Sequence, residues 1–166
     1  MDLEQRVAEL ERRLAALESA QHTAPHLGEG DFWALQGFKE QLAEVRAADG
    51  GVLFTGAVRL PTGEHYEWQH GVLTEGLLDD DWTGAAESFA ALGHPVRLRL
   101  LREVVGGRRT AAELAELDEI GTTGQIYHHL RQLTGAGWLH TTGRGRYEVP
   151  AGRVVPLLVA LSAARP

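Results

Sequence analysis

Apolar positions divide the chain into three stretches with different periods. From Met1 to Glu18 the residues Leu3, Val7, Leu10, Leu14 and Leu17 are separated by four, three, four and three positions. That alternation is the a/d pattern of a coiled coil, with Glu and Arg on the outer positions. Residues 1–20 are therefore expected to form a dimerisation helix. A stretch this short is marginal as an isolated helix in water, so self-pairing needs a larger interface beside it. The alternative is a single amphipathic helix packed on its own domain. Residues 21–30 contain Pro25, Gly28 and Gly30 and read as a linker.

The second stretch, 31–84, opens with Asp31 as an N-cap candidate and continues with Phe32, Leu35, Phe38, Leu42 and Val45 near helical spacing. Gly50-Gly51 is expected to end that helix. VLFTGAVRL is rich in strand formers, PTGE supplies a turn, and HYEWQHGVL follows with Tyr66 and Trp68 on one face. The expectation is a helix, a hairpin and then an acidic stretch at Asp79, Asp80 and Asp81. A unit of this size buries little apolar surface alone, so it should pack on a neighbour or on a second copy.

The third stretch, 85–166, reads mainly as helices. GAAESFAALGHPVRLRLLREVVGG predicts two, the second beginning with Pro95 and closing at Gly106. Thr110-Ala111-Ala112-Glu113 has a capping-box pattern and opens a short helix through about Leu117. Thr122-Thr123-Gly124-Gln125 repeats the pattern and opens a longer helix, IYHHLRQLTGAG. Two short helices joined by a tight turn form a helix-turn-helix signature. Two strand-like pieces then flank Gly143-Arg144-Gly145-Arg146, expected as a hairpin tip with basic side chains. A last apolar helix, RVVPLLVALSAA, is expected to carry Pro156 in its opening turn. The fold class that follows is α+β, mainly α: a coiled-coil helix, a small helix-plus-hairpin unit and a C-terminal winged helix-turn-helix domain.

Charge changes the picture. The 166 residues carry a net charge of −7, which argues against a polyanion binder. Residues 87–166, however, hold seven acids against ten bases, while 21–86 hold eleven against three. Such asymmetry points to nucleic-acid binding by the basic part alone. The chain has no cysteine, which removes disulfides, thiolate zinc sites and thiol catalysis. No apolar run approaches the roughly 18 residues of a membrane span, and charges recur at every turn of the first twenty residues. No membrane partner is therefore expected, and a cytoplasmic location is.

On the 122–135 helix, Ile126, Leu130 and Leu133 fall on one side and should face a core. Gly124, His128 and Arg131 fall opposite, flanked by Gln125 and Tyr127. Amide, imidazole, phenol and guanidinium groups on one exposed face suit a DNA major groove, where Arg pairs with guanine and Gln with adenine. Thr122 and Thr123 at the positive helix end could bond phosphate, and Arg144 and Arg146 could reach the minor groove or backbone. Arg108 and Arg109 read as phosphate clamps or as plain loop charges. His129 lies nearer the apolar side and reads as a structural histidine. The bland alternative for the whole face is an ordinary solvated surface.

ALGHPVRLRLLREVV, TAAELAEL, TTGQIYHHLRQLTGAGWL and GRGRYEV together resemble the winged-helix domain of ArsR-type bacterial repressors, over about the last half of the chain. The resemblance implies a homodimeric DNA-binding transcription regulator, often released by a ligand or metal. It also implies DNA contacts at Thr123, Gln125, Tyr127, His128 and Arg131, with Arg144 and Arg146 as the wing. Gly124 stands where the family has a polar residue. The cysteine pair that binds metal in the family is missing between Glu113 and Leu117, and the last helix offers no His, Asp or Glu. Neither a metal nor a cofactor is therefore implied.

Other chemistry is thin. Strand alternation splits His65 and Glu67 from Glu64, Tyr66, Trp68 and His70, leaving each face an incomplete ligand set. No phosphate-cradling glycine loop, nucleophile elbow or calcium loop appears, so no enzyme is expected. Trp33, Phe38, Phe54, Tyr66 and Trp68 could line a pocket for a small-molecule effector, although aromatics at such spacings are more often core. The leading reading is a homodimeric, sequence-specific DNA-binding regulator, a repressor, whose partners are double-stranded DNA, a second copy and an unidentified small-molecule or protein effector. The alternative is an interaction module whose winged helix binds a protein.

Overall fold

The computed structural model describes Val7, Arg12 and residues 32–118, 120–143 and 145–165. The chain divides into two compact units, Met1–Gln41 and Leu42–Pro166. Of the heptad positions, Val7 is helical and 47% exposed; Leu3, Leu10, Leu14 and Leu17 lie outside the described residues.

Helix α1 spans Trp33–Glu44. It stops short of Gly50-Gly51 because Arg46 adopts a left-handed φ of 55°. The amide of Ala47 then reaches back to the carbonyl of Leu42 at 2.9 Å, closing the helix as a C-terminal glycine would. No periodic signal marks a non-glycine residue in that role.

Strands β1 (Gly51–Arg59) and β2 (His65–Leu73) pair antiparallel in the expected hairpin, with Val58 opposite Tyr66 and Gly56 opposite Trp68. A short helix, α2 (Thr74–Asp79), follows where only an acidic stretch is expected. Its N-cap is Leu73, whose side chain makes no cap, so no local signal announces it.

Next come α3 (Thr83–Leu92), α4 (Pro95–Val105), α5 (Ala111–Ala115) and α6 (Thr123–Gly135). Strands β3 (His140–Thr142) and β4 (Arg146–Glu148) form a second small hairpin before α7 (Ala151–Ala163). Helix α7 begins earlier than the sequence suggests, so Pro156 lies inside it rather than in its opening turn. Among the described residues no helix is long and apolar enough to cross a membrane.

The core gathers Leu100, Leu101 and Val104 of α4, Leu114 of α5, Ile126, Leu130 and Leu133 of α6, Trp138, Leu139, and Val154 and Leu157 of α7. The first hairpin shares this core. Leu60 is buried within it, and Val58 and Tyr66 pack against it. A Cβ on Gly56 would stand 2.6 Å from Val155 Cγ1, so the absence of a side chain there lets β1 approach α7. The β1–β2 hairpin and the helices of 85–166 therefore belong to one unit.

Candidate nucleic-acid interface

Both capping boxes form. Thr110 Oγ1 accepts from the Glu113 amide at 3.2 Å, while the Glu113 carboxylate accepts from the Thr110 amide and hydroxyl, each at 2.8 Å. These bonds, led by that from the Thr110 backbone, hold the Glu113 carboxyl below the usual range, and nearby Arg146 adds to the effect. At α6, the Thr122 amide donates to Gln125 Oε1 at 2.8 Å, and Thr122 Oγ1 accepts from the Gln125 amide at 3.4 Å. With the α5 and α6 starts tied down and Gly121 in a left-handed turn of φ 104° between them, the two helices meet as a helix-turn-helix.

Helix α6 presents two chemically distinct sides. Ile126, Leu130 and Leu133 are at most 1% exposed. Thr122, Thr123, Gln125, Tyr127, His128 and Arg131 are all exposed. The Gln125 amide is committed: Oε1 serves the cap, so reading adenine with both ends of the side chain would compete with the start of the helix. His129 is half-buried, its ring against those of His94 and His128.

Arg97 is a residue whose role the sequence does not disclose. It donates to the Ala91 and Ala90 carbonyls at the end of α3 and, at 2.6 Å, to Gln132 Oε1 on α6. One side chain thus joins the elements on either side of α4. Its motif, His-Pro-Val-Arg, is visible in the sequence, but its acceptors are set by the fold.

The arginines behave differently from one another. Arg108 is 52% exposed and lies 3.8 Å from Glu103. Arg109, expected as a phosphate clamp, is instead inserted between Glu64 and Glu148, with its side chain only 13% exposed. Both carboxylates are fixed at contact distance, so the guanidinium already has charged partners in a partly desolvated site. Hydrogen bonding to Glu64 raises the Arg109 pKa further and lowers that of Glu64. Arg146 is exposed and sits on β4 opposite Thr142, rather than at the tip. Arg144 lies outside the described residues.

The aromatics grouped as an effector pocket have different immediate surroundings. Tyr66 packs on the core, and burial pushes its phenol pKa up. Trp68 is 43% exposed with its ring edge over Gly152, within 3.5 Å of where a Cβ would stand. Phe54 stacks at a tilt on His70, 5.6 Å between centroids. Phe54, Tyr66 and Trp68 share one face of the first hairpin, since Phe54 pairs with His70, Gly56 with Trp68 and Val58 with Tyr66. In the other unit Trp33 is exposed and Phe38 is half-buried.

Residues 92–141, from the end of α3 into β3, match the family model of a helix-turn-helix domain. No curated protein and no solved structure matches the chain. The chain thus carries a helix-turn-helix domain, an architecture of DNA binding and transcription regulation that is in general non-enzymatic.

Proposed function

We propose that the protein is a homodimeric, sequence-specific transcriptional regulator of the ArsR-like winged-helix class, a repressor acting in the cytoplasm of a bacterium. Helix α6 enters the major groove, where His128, Arg131 and Tyr127 face base edges and Thr122 and Thr123 hold phosphate. The β3–β4 hairpin is the wing and brings Arg146 and Arg144 to the flanking DNA, with Arg108 on the backbone nearby. The observation that carries this reading is the division of α6 into a wholly buried apolar side and an exposed polar side within the matched helix-turn-helix segment.

Residues 1–20 and 31–84 are assigned to dimerisation, with residues 21–30 as the linker between them. The 31–84 segment is also the candidate for effector control. Support for a protein-covered surface comes from α2 and α3, where Leu77, Trp82 and Phe89 border an apolar groove and are 39%, 58% and 64% exposed. Solvated monomers rarely leave such a surface uncovered. The second reading, a module that binds protein through its winged-helix domain, draws on the part of this groove that α3 lines with Ala85, Ala86 and Phe89.

Selection of bound sequences from a random duplex pool separates the two. Recovery of a palindromic motif, with half-sites about one helical turn apart, is expected for a symmetric dimer. A pool that yields no motif and no salt-sensitive complex supports the protein-binding module.

A further inference from the structure

We propose that Glu64, Arg109 and Glu148 form a latch through which the β1–β2 hairpin holds the β3–β4 hairpin in place. Glu64 is then a positioning residue for DNA binding although it lies outside the proposed DNA face. The inference rests on the reading of β3–β4 as a DNA-contacting wing.

Glu64 stands at the tip of the first hairpin. Its carboxylate accepts from Thr62 Oγ1 at 2.6 Å, and its carbonyl accepts from the Leu60 amide at 2.9 Å. Leu60 is 7% exposed and belongs to the core, so the carboxylate is held in place before any partner arrives. The tip also touches the loop between α4 and α5: a Cβ on Gly107 would come within 3.1 Å of Thr62 Cγ2.

Arg109 in that loop is tied in both directions. Its side chain bonds Glu64 on one hairpin and Glu148, at 3.0 Å, on the other. Its carbonyl accepts from the Tyr147 amide at 2.6 Å, and its amide donates to Glu113 at 3.0 Å. Thr110 adds a bridge to Arg146. The Arg109 Nε is buried without a partner, so the guanidinium depends on these two carboxylates for its remaining compensation.

A hairpin whose strands are three residues each is marginal by itself. Its orientation is therefore set by what it touches, and Arg109 contacts β4 through both backbone and side chain. Removing the Glu64 charge leaves Glu148 as the guanidinium's carboxylate partner and lets β4 fluctuate. Plain electrostatics and the latch make opposite demands here. Deleting an acid near DNA should strengthen binding, whereas loosening the wing should weaken it.

The test uses the full-length protein and its Glu64→Gln and Glu64→Asp variants. Amide hydrogen exchange of the free protein is read at Tyr147, with Leu130 in α6 as reference. Affinity for a duplex taken from the random-pool selection is read at fixed salt. Glu64→Gln is expected to speed exchange at Tyr147 but not at Leu130, and to weaken duplex binding by roughly 5-fold. Glu64→Asp should restore part of both. Unchanged Tyr147 exchange overturns the latch, as does equal or tighter duplex binding by Glu64→Gln. If the wild-type protein binds no duplex, the DNA reading of the site fails. Tyr147 exchange then decides the latch by itself.

Discussion

The imidazole rings of His94 and His129 stand 4.7 Å apart, joining the N-cap of α4 to the half-buried side of α6. His94 Nδ1 accepts from the Val96 amide at 3.2 Å, which requires that nitrogen to be unprotonated. His129 Nδ1 is buried without a partner. Burial lowers the His129 pKa, and the neighbouring His94, Arg97 and His128 push it the same way against a weaker opposing bond with Gln132.

A pH dependence of stability follows. A histidine with a lowered native pKa binds its proton more readily in the unfolded chain, so its contribution is fully present above the unfolded value of about 6.5. That contribution is lost as pH falls through the lower native value. Urea midpoints measured from pH 7.5 to 5 should therefore decline below about 6.5. His129→Gln, which cannot titrate, should flatten that decline.

Gly56 and Val155 give a packing prediction. Gly56→Ala would place a methyl 2.6 Å from a Cγ of Val155, a β-branched residue with little rotamer freedom in a helix. The expected cost is about 1–3 kcal/mol in chemical denaturation. Pairing it with Val155→Ala should recover part of that loss, because the second change removes the obstructing atoms.

Thr110→Ala removes the side-chain acceptor for the Glu113 amide at the start of α5. The unfolding midpoint should fall by the equivalent of about 1 kcal/mol with an unchanged denaturant slope. Thr110 pairs with Arg146 through its backbone, which alanine retains, so Tyr147 exchange should stay unchanged in this variant.

The features legible in the sequence are those whose physics is local. Pro95 at the first position of α4 and Thr122 with Gln125 at the head of α6 each involve residues within one helical turn. The first hairpin was readable for the same reason: the turn at 61–64 is short and its residues are turn formers. Arg109 could not be read this way, because its carboxylate partners lie 45 and 39 residues away and on different hairpins. The docking of β1 on α7 was likewise hidden. It depends on Gly56 and Val155, which no periodicity links. Helix α2 lacked any cap to announce it, and the end of α1 rests on Arg46 in a conformation normally left to glycine.

Binding of Arg131→Ala and wild-type protein to a selected duplex and to a scrambled duplex of equal length, at one salt concentration, tests most directly whether α6 reads DNA. Arg131 is exposed on α6 away from its buried apolar side, so its loss should leave folding intact. Loss of a bidentate guanine contact should weaken binding to the selected duplex by about 10-fold or more, with a much smaller change on the scrambled one. Equal affinities of the two proteins for the selected duplex would contradict the assignment of α6 as the reading helix.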